Sequence, residues 1–197
     1  MFTGSTEVGR LLYRQSAATV KTLVMELGGH APLIVFDGAD LDRAVTEAIK
    51  AKFATSGQDC LAANRIFVQN GVYDRFVSAF ARRVAELKLG AGFEAGVDIG
   101  PLIHERAVEK VEAQVRDAVA RGARCLVGGG RSVLGRRFYT PTLLADVPDD
   151  AVIMREETFG PVVGIMPVKD DAEAIALMND CQFGLTAAIF TKDADAA

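Results

Sequence analysis

The sequence has 197 residues, half of them hydrophobic and about a quarter charged, which is enough for one sizeable buried core or two modest ones. The net charge of -4 and the lack of any block of like charges argue against nucleic acid or an anionic membrane surface as a partner. No apolar run approaches the roughly 20 residues of a membrane-spanning helix, and the first residues lack the parts of a signal peptide. We therefore expect a cytoplasmic protein whose three scattered cysteines are reduced thiols.

Helix and strand patterns alternate along the chain. In chain order they predict a helix near residues 8–13, strands at 22–25 and 33–36, a helix at 41–53, a strand at 65–69, helices at 72–87 and 108–121, strands at 124–127 and 162–168, a helix at 171–179 and a strand at 186–191. Asp40 is expected to cap the helix that it precedes, and a glycine-rich loop is expected over residues 90–100. The alternation predicts an α/β fold in which helices cover both faces of a largely parallel sheet.

The chain divides into two expected parts. Residues 1–29 read as the last part of a Rossmann-type nucleotide-binding domain, because the sequence enters directly at a turn between a strand and a helix. Residues 30–197 read as a catalytic domain that carries the candidate nucleophile. We expect this domain to be truncated, because Asp193 would cap a helix that does not complete one turn.

Cys60 is the candidate nucleophile. It ends the sequence Gly-Gln-Asp-Cys of residues 57–60, in a turn between a predicted helix and a predicted strand. A cysteine in such a turn can lie on the floor of a cleft, and its thiolate is the reactive form. The alternative is a small core thiol, and that is the expectation for Cys125 and Cys181, which lie in apolar periodic segments.

Glu26 and a glycine-containing turn are candidates at the other end of the chain. Glu26 ends a predicted strand and precedes two glycines, so it could act as a general base once it is partly desolvated. Residues 2–9 combine hydroxyls, backbone amides and a helix N-terminus, which can hold a pyrophosphate. The alternatives are a solvated carboxylate at Glu26 and a plain N-cap at Ser5 or Thr6.

Glu157 and Phe159 lie just before the apolar strand at residues 162–168. A carboxylate there can accept hydrogen bonds from ribose hydroxyls, and a phenylalanine ring can press on a nicotinamide. A surface turn with one core aromatic is the alternative. His30 and His104 are the only histidines, and neither has a partner at metal-ligand spacing, so we expect no metal site.

Together these motifs resemble the aldehyde dehydrogenase superfamily in order and spacing. The resemblance rests on residues 2–9, 26–29, 57–60 and 157–161 and covers nearly the whole chain. It implies that Cys60 attacks the aldehyde carbon, with its own backbone amide helping to hold the oxyanion, and that a thiohemiacetal and then a thioester form. It also implies that Glu26 activates the water that releases the carboxylic acid.

The same resemblance implies the cofactor and the partners. It places NAD or NADP against Gly4, Ser5, Glu157 and Phe159, with Ser5 at the pyrophosphate, Glu157 at the nicotinamide ribose and Phe159 at the nicotinamide. It implies a small-molecule aldehyde as substrate and a homo-oligomer for the protein as a whole. Members of the superfamily are more than twice as long as this chain, so we expect the chain alone to bind cofactor weakly or not at all.

Within the superfamily the sequence is similar to the succinate-semialdehyde dehydrogenases, through residues 26–32, 63–65 and 71–76. Those enzymes commonly carry an arginine six positions before the catalytic cysteine, where this chain has Ala54, and a second cysteine where it has Ala62. A related aldehyde without a distal carboxylate is therefore an alternative substrate. Two alternatives to a complete oxidoreductase are a catalytically incompetent fragment or split-enzyme half, and a cofactor-independent thiol esterase.

Overall fold

The computed structural model describes residues 1–195, which form two separate sheets. The smaller sheet pairs β1 (Phe2–Thr3) in parallel with β2 (Met25–Glu26), and helix α1 (Thr6–Ala17) connects them. The predicted strand at residues 22–25 was therefore placed too early, because β1 offers only two residues for β2 to pair with. The expected boundary between residues 29 and 30 falls after this small sheet and stays a prediction.

The larger sheet has six strands. They are β3 (Pro32–Val35), β4 (Arg65–Gln69), β5 (Arg124–Val127), β6 (Thr142–Ala145), β7 (Val162–Val168) and β8 (Ala188–Phe190). Their spatial order is β5-β6-β7-β4-β3-β8, and every neighbouring pair is parallel except β5 with β6. The largely parallel sheet that the alternation of helices and strands predicted is confirmed.

Five further helices complete the fold. They are α2 (Leu41–Phe53), α3 (Tyr73–Ala85), α4 (Glu105–Ala120), α5 (Val152–Arg155) and α6 (Asp171–Asn179). As predicted, Asp40 caps α2, and its Oδ1 accepts a hydrogen bond from the amide of Arg43. A 3-10 turn (Ala54–Gly57) extends the chain beyond α2. None of the helices in residues 1–195 is long and apolar enough to cross a membrane.

The strands of the larger sheet bury both of their faces. In β4, Ile66 and Val68 pack on one side with α2 and α3, whereas Phe67 packs on the other side with α4, α5 and α6. Successive side chains of a strand point to opposite faces, so a strand that is covered on both sides is apolar throughout. This explains why β7 could be recognised as an apolar strand, whereas β4 was predicted from alternation although Ile66, Phe67 and Val68 are all buried.

Three strands or helices have no counterpart in the sequence-based prediction. These are β1, a strand of two residues, β6, a buried strand of four residues, and α5, a single helical turn. All three are too short to show a period of their own. The predicted strand at residues 186–191 shortens to β8, and the helix predicted from residue 108 begins three residues earlier, where His104 Nδ1 caps α4 by accepting from the amide of Ala107.

Candidate active site

A cleft of about 700 Å³ lies between the small sheet and the cysteine-bearing turn. Its walls come from the turn after β1, the end of β2, the loop after α2, the first turns of α4 and the segment before β7. All six residues that the sequence analysis predicted as catalytic or cofactor-binding line this cleft: Gly4, Ser5, Glu26, Cys60, Glu157 and Phe159. Residues that are far apart in the chain are thus brought to one place, and their individual roles stay predictions.

The turn before Cys60 has an unusual backbone. Thr55, Ser56 and Gly57 have φ angles of 51°, 60° and 68°, all in the left-handed region. Glycine adopts this conformation freely, and at Gly57 a Cβ would also overlap the carbonyl oxygen of Gly160. For Thr55 and Ser56 the same conformation costs about 1 kcal/mol or more each. Strain of this kind persists only where surrounding contacts hold it in place.

Two side chains of the turn supply such contacts. Ser56 Oγ accepts a hydrogen bond from the amide of Gly100 at 2.8 Å. Gln58 accepts from the amide of Ile103 at 2.8 Å through Oε1 and donates to the carbonyl of Pro101 at 3.3 Å through Nε2. The cysteine-bearing turn is therefore fastened to residues 100–103, a segment more than 40 positions away in the sequence.

Cys60 itself is partly buried at the edge of the cleft. A Cβ on Gly29 would overlap the carbonyl oxygen of Cys60, so only glycine allows the loop after Glu26 to pass this close. Burial raises the pKa of the Cys60 thiol, and the neighbouring Asp59 carboxylate raises that pKa further. The described residues thus hold Cys60 as a thiol at neutral pH.

A buried lysine lies behind the turn. Lys52, in the last turn of α2, is fully inaccessible to solvent, and its Nζ donates to Asn64 Oδ1 at 2.7 Å. Burial lowers the pKa of Lys52 to about 7, while the charge of Glu157 opposes that shift. The pair joins the residues before Cys60 to those after it. Asn64 Nδ2 has no hydrogen-bond acceptor within residues 1–195.

Glu157 connects the segment before β7 to the loop after β2. Its Oε1 accepts a hydrogen bond from the amide of Gly29 at 3.0 Å, and a Cβ on Gly28 would lie 2.7 Å from Oε2. Phe159 has a φ of 49° and an exposed ring that faces the cleft. The segment therefore presents a carboxylate and an aromatic face side by side.

The remaining predicted site residues, Gly4, Ser5 and Glu26, lie in or beside the small sheet. The amide of Gly4 donates to the carbonyl of Glu26 at 3.0 Å, which holds the two segments together. Ser5 caps α1, because its Oγ accepts from the amide of Val8 at 3.4 Å. Glu26 is exposed. The partial desolvation that the role of general base would require is not seen within residues 1–195, where β2 pairs only with β1.

Three basic residues of the cleft were missed by the sequence analysis. His104, Arg106 and Lys110 lie on or beside the first turns of α4 and line the same cleft. Charged residues on an exposed helix face have no pattern that separates cleft residues from ordinary solvated ones. Only the position of α4 relative to the small sheet identifies them.

The two histidines differ in their surroundings. His30 is buried, and burial followed by the charge of Arg65 lowers its pKa to about 3, so its ring is neutral. His104 is exposed and serves as the cap of α4. The described part of the chain contains no group of three or more His, Cys, Asp or Glu side chains that could hold a metal ion.

The expectation that Cys125 and Cys181 are core thiols was wrong. Cys125 is exposed, because β5 is an edge strand whose only neighbour is β6. Cys181 is half-buried in the bend that follows α6. Whether a cysteine in an apolar segment is buried depends on where that segment lies in the sheet, and the sequence does not contain this information.

The sequence pattern of the aldehyde dehydrogenase family matches residues 1–197. The chain belongs to the aldehyde dehydrogenase family. It is 50% identical over 192 residues to an Escherichia coli (strain K12) relative named succinate-semialdehyde dehydrogenase (NADP(+)), a match that covers 98% of this chain and 40% of the relative. The glutarate-semialdehyde dehydrogenase of Pseudomonas aeruginosa is also 50% identical over 192 residues, with the same coverage.

Solved structures of the aldehyde dehydrogenase family show the same fold. The succinate-semialdehyde dehydrogenase of Burkholderia pseudomallei and an NADP-dependent enzyme of Escherichia coli each superpose with a TM-score of 0.97 at 49% identity. Each match covers 99% of this chain and 40% of the other. The aldehyde dehydrogenase-like α/β fold that the resemblance implied is thereby confirmed. The chain spans about 40% of the length of the curated relatives it matches.

Proposed function

We propose that this chain carries the nucleophile of an NAD(P)-dependent aldehyde dehydrogenase that oxidises a small aldehyde, such as succinate semialdehyde or a related compound, to the carboxylic acid. The observation that supports this most is the convergence of Cys60, Glu26 and four cofactor candidates on one cleft. A thiol, a carboxylate, a helix N-terminus and an aromatic face are the groups that this reaction needs.

Cys60 begins the reaction. After the thiol gives its proton to water, its sulfur forms a bond to the aldehyde carbon while the carbonyl π electrons move to oxygen. This gives the oxyanion of a thiohemiacetal, which the backbone amide of Cys60 helps to hold. Loss of hydride from that carbon leaves a thioester. Glu26 then takes a proton from a water that attacks the thioester carbon, and the C–S bond breaks to release the acid and restore the thiol.

The residues present fit a nicotinamide cofactor. Ser5 and the N-terminus of α1 would face the pyrophosphate, and Phe159 would lie against the nicotinamide. Glu157 holds the amide of Gly29 with Oε1, and the absence of a side chain at Gly28 keeps Oε2 clear to accept from a ribose hydroxyl. When bound, the cofactor would take up the hydride. The Escherichia coli relative is named for NADP(+), so the test below uses NADP as well as NAD.

The test is cofactor reduction by the purified protein. Because the chain alone is expected to bind cofactor weakly, NAD or NADP is supplied at about 10 mM, above a roughly millimolar Kd. We expect absorbance of reduced nicotinamide to appear with a small aldehyde under these conditions, and to disappear in Cys60→Ser. Cys125→Ser is the matched control, since it removes an exposed thiol far from the cleft and should keep full activity. Ester hydrolysis that needs Cys60 without any cofactor reduction would instead identify a thiol esterase and overturn the proposal.

A further inference from the structure

Asp59 occupies a position between two hollows. The cleft described above lies on one side of the cysteine-bearing turn, and a second hollow of about 270 Å³ lies on the other. Asp59 lines both, whereas the cofactor candidates line only the first. Cys60 lines only the first cleft, but its chain neighbours Asp59 and Leu61 both line the second hollow. If the cofactor occupies the first cleft, the chain of an aldehyde held at Cys60 would extend past these two residues toward the second hollow. Asp59 would then face that chain.

The carboxylate of Asp59 is fixed in place. Its Oδ1 accepts a hydrogen bond from the amide of Leu61 at 2.8 Å, so the side chain is tied across the backbone of Cys60. Asp59 also acts on the thiol, because its charge adds to the effect of burial in raising the pKa of Cys60. A fixed carboxylate therefore lies beside the reacting sulfur.

The lining of the second hollow provides little positive charge opposite Asp59. Most of its lining is small or apolar: Ala31, Leu33, Ala51, Ala54, Leu61 and Ala63. Its one basic residue, Lys50, pairs with Glu47 at 2.8 Å. The basic residues of the site, His104, Arg106 and Lys110, line the first cleft and not the second hollow.

We infer that Asp59 selects among substrates by their charge. An aldehyde with a neutral or cationic chain reacts at Cys60 in preference to one with a carboxylate near the carbonyl. This inference rests on the proposed function and narrows its substrate class. The relatives in the comparison are named for succinate semialdehyde and glutarate semialdehyde, which are anionic. The chain would thus differ from them in substrate.

Alkylation of Cys60 tests the charge effect without cofactor or turnover. Iodoacetamide and iodoacetate have the same leaving group and nearly the same size, but only iodoacetate is negatively charged. The quantity measured is the ratio of their rates at Cys60, obtained by peptide mass spectrometry. Asp59→Asn also changes the pKa of the thiol, but that change affects both reagents alike and cancels in the ratio.

The ratio of the iodoacetamide rate to the iodoacetate rate at Cys60 should be about tenfold higher in the original protein than in Asp59→Asn. This is the effect expected for two unit charges several ångströms apart in a partly solvated cleft. High salt should reduce this preference. Asp42→Asn is the matched control, since it removes an exposed carboxylate of α2 and should leave the ratio unchanged. An unchanged ratio in Asp59→Asn would overturn the inference.

Turnover gives a second measurement. Butanal and succinate semialdehyde have the same number of carbons, so the ratio of their kcat/KM values reports the effect of the carboxylate. We expect Asp59→Asn to raise kcat/KM for succinate semialdehyde about tenfold relative to butanal. If neither aldehyde is oxidised, the proposed function fails while the alkylation ratio still decides the role of Asp59. A relative kcat/KM that Asp59→Asn leaves unchanged would contradict that role.

Discussion

Replacing Lys52 with methionine should change how the stability of the protein depends on pH. Lys52 is fully buried, and its pKa falls from 10.5 to about 7 on folding. Between these two values the unfolded chain binds a proton that the folded chain releases, so stability must rise with pH. A shift of this size lowers the free energy of unfolding by about 5 kcal/mol at low pH. About 2 kcal/mol of that loss is recovered between pH 7 and pH 9.

Lys52→Met removes this titration and leaves Asn64 without its donor, at a cost of about 1–3 kcal/mol that does not depend on pH. The free energy of unfolding of each protein is measured with urea under reducing conditions. Between pH 7 and pH 9 the value for the original protein should rise by about 2 kcal/mol relative to the value for the variant. Other titrating groups are common to both proteins and cancel in the difference.

Lys50→Met is the matched control. Lys50 lies on the same helix, and its side chain is 66% exposed. Its removal should displace the stability curve by a small constant amount without changing its slope between pH 7 and pH 9. If the curves of Lys52→Met and of the original protein run parallel, Lys52 is not the buried titrating group that the structure indicates.

Two further predictions concern the contacts that hold the turn. Ser56→Ala leaves the amide of Gly100 without its acceptor and should lower the free energy of unfolding by about 1–3 kcal/mol; a loss below a few tenths would show that the contact is not formed in solution. Gly29→Ala forces a Cβ against the carbonyl of Cys60 and should cost about 3 kcal/mol and alter the iodoacetamide rate at Cys60. Gly38→Ala, where no atom lies within 4 Å of the new Cβ, should do neither, and equal effects at both glycines would refute the steric explanation.

Elements defined by local signals were predictable from the sequence. The strands at residues 65–69, 124–127 and 162–168 and the helix at 171–179 have the predicted bounds, because an apolar run or a cap lies within each segment. The short strand β6 was missed, since its identity depends on pairing with β7 and β5 rather than on a pattern of its own.

The candidate site was predictable where the residue types themselves suggest chemistry. Cys60 and Glu157 belong to short motifs, and the structure places both at one cleft. Lys52, Ser56 and Gln58 could not be predicted, because their significance comes from partners that are remote in sequence or from burial. The charge of Asp59 was visible in the sequence, but its position between two hollows was not.

The contacts around the cysteine-bearing turn also bear on when the chain becomes chemically competent during its synthesis. Ser56 meets Gly100 across 44 positions, and Gly29 meets Glu157 across 128. A ribosome that has delivered Cys60 must therefore add roughly another hundred residues before the second contact can form, and domains generally fold as units once their parts have emerged. Until then Cys60 is an ordinary thiol on a growing chain, protected by no cleft and selective for no reagent.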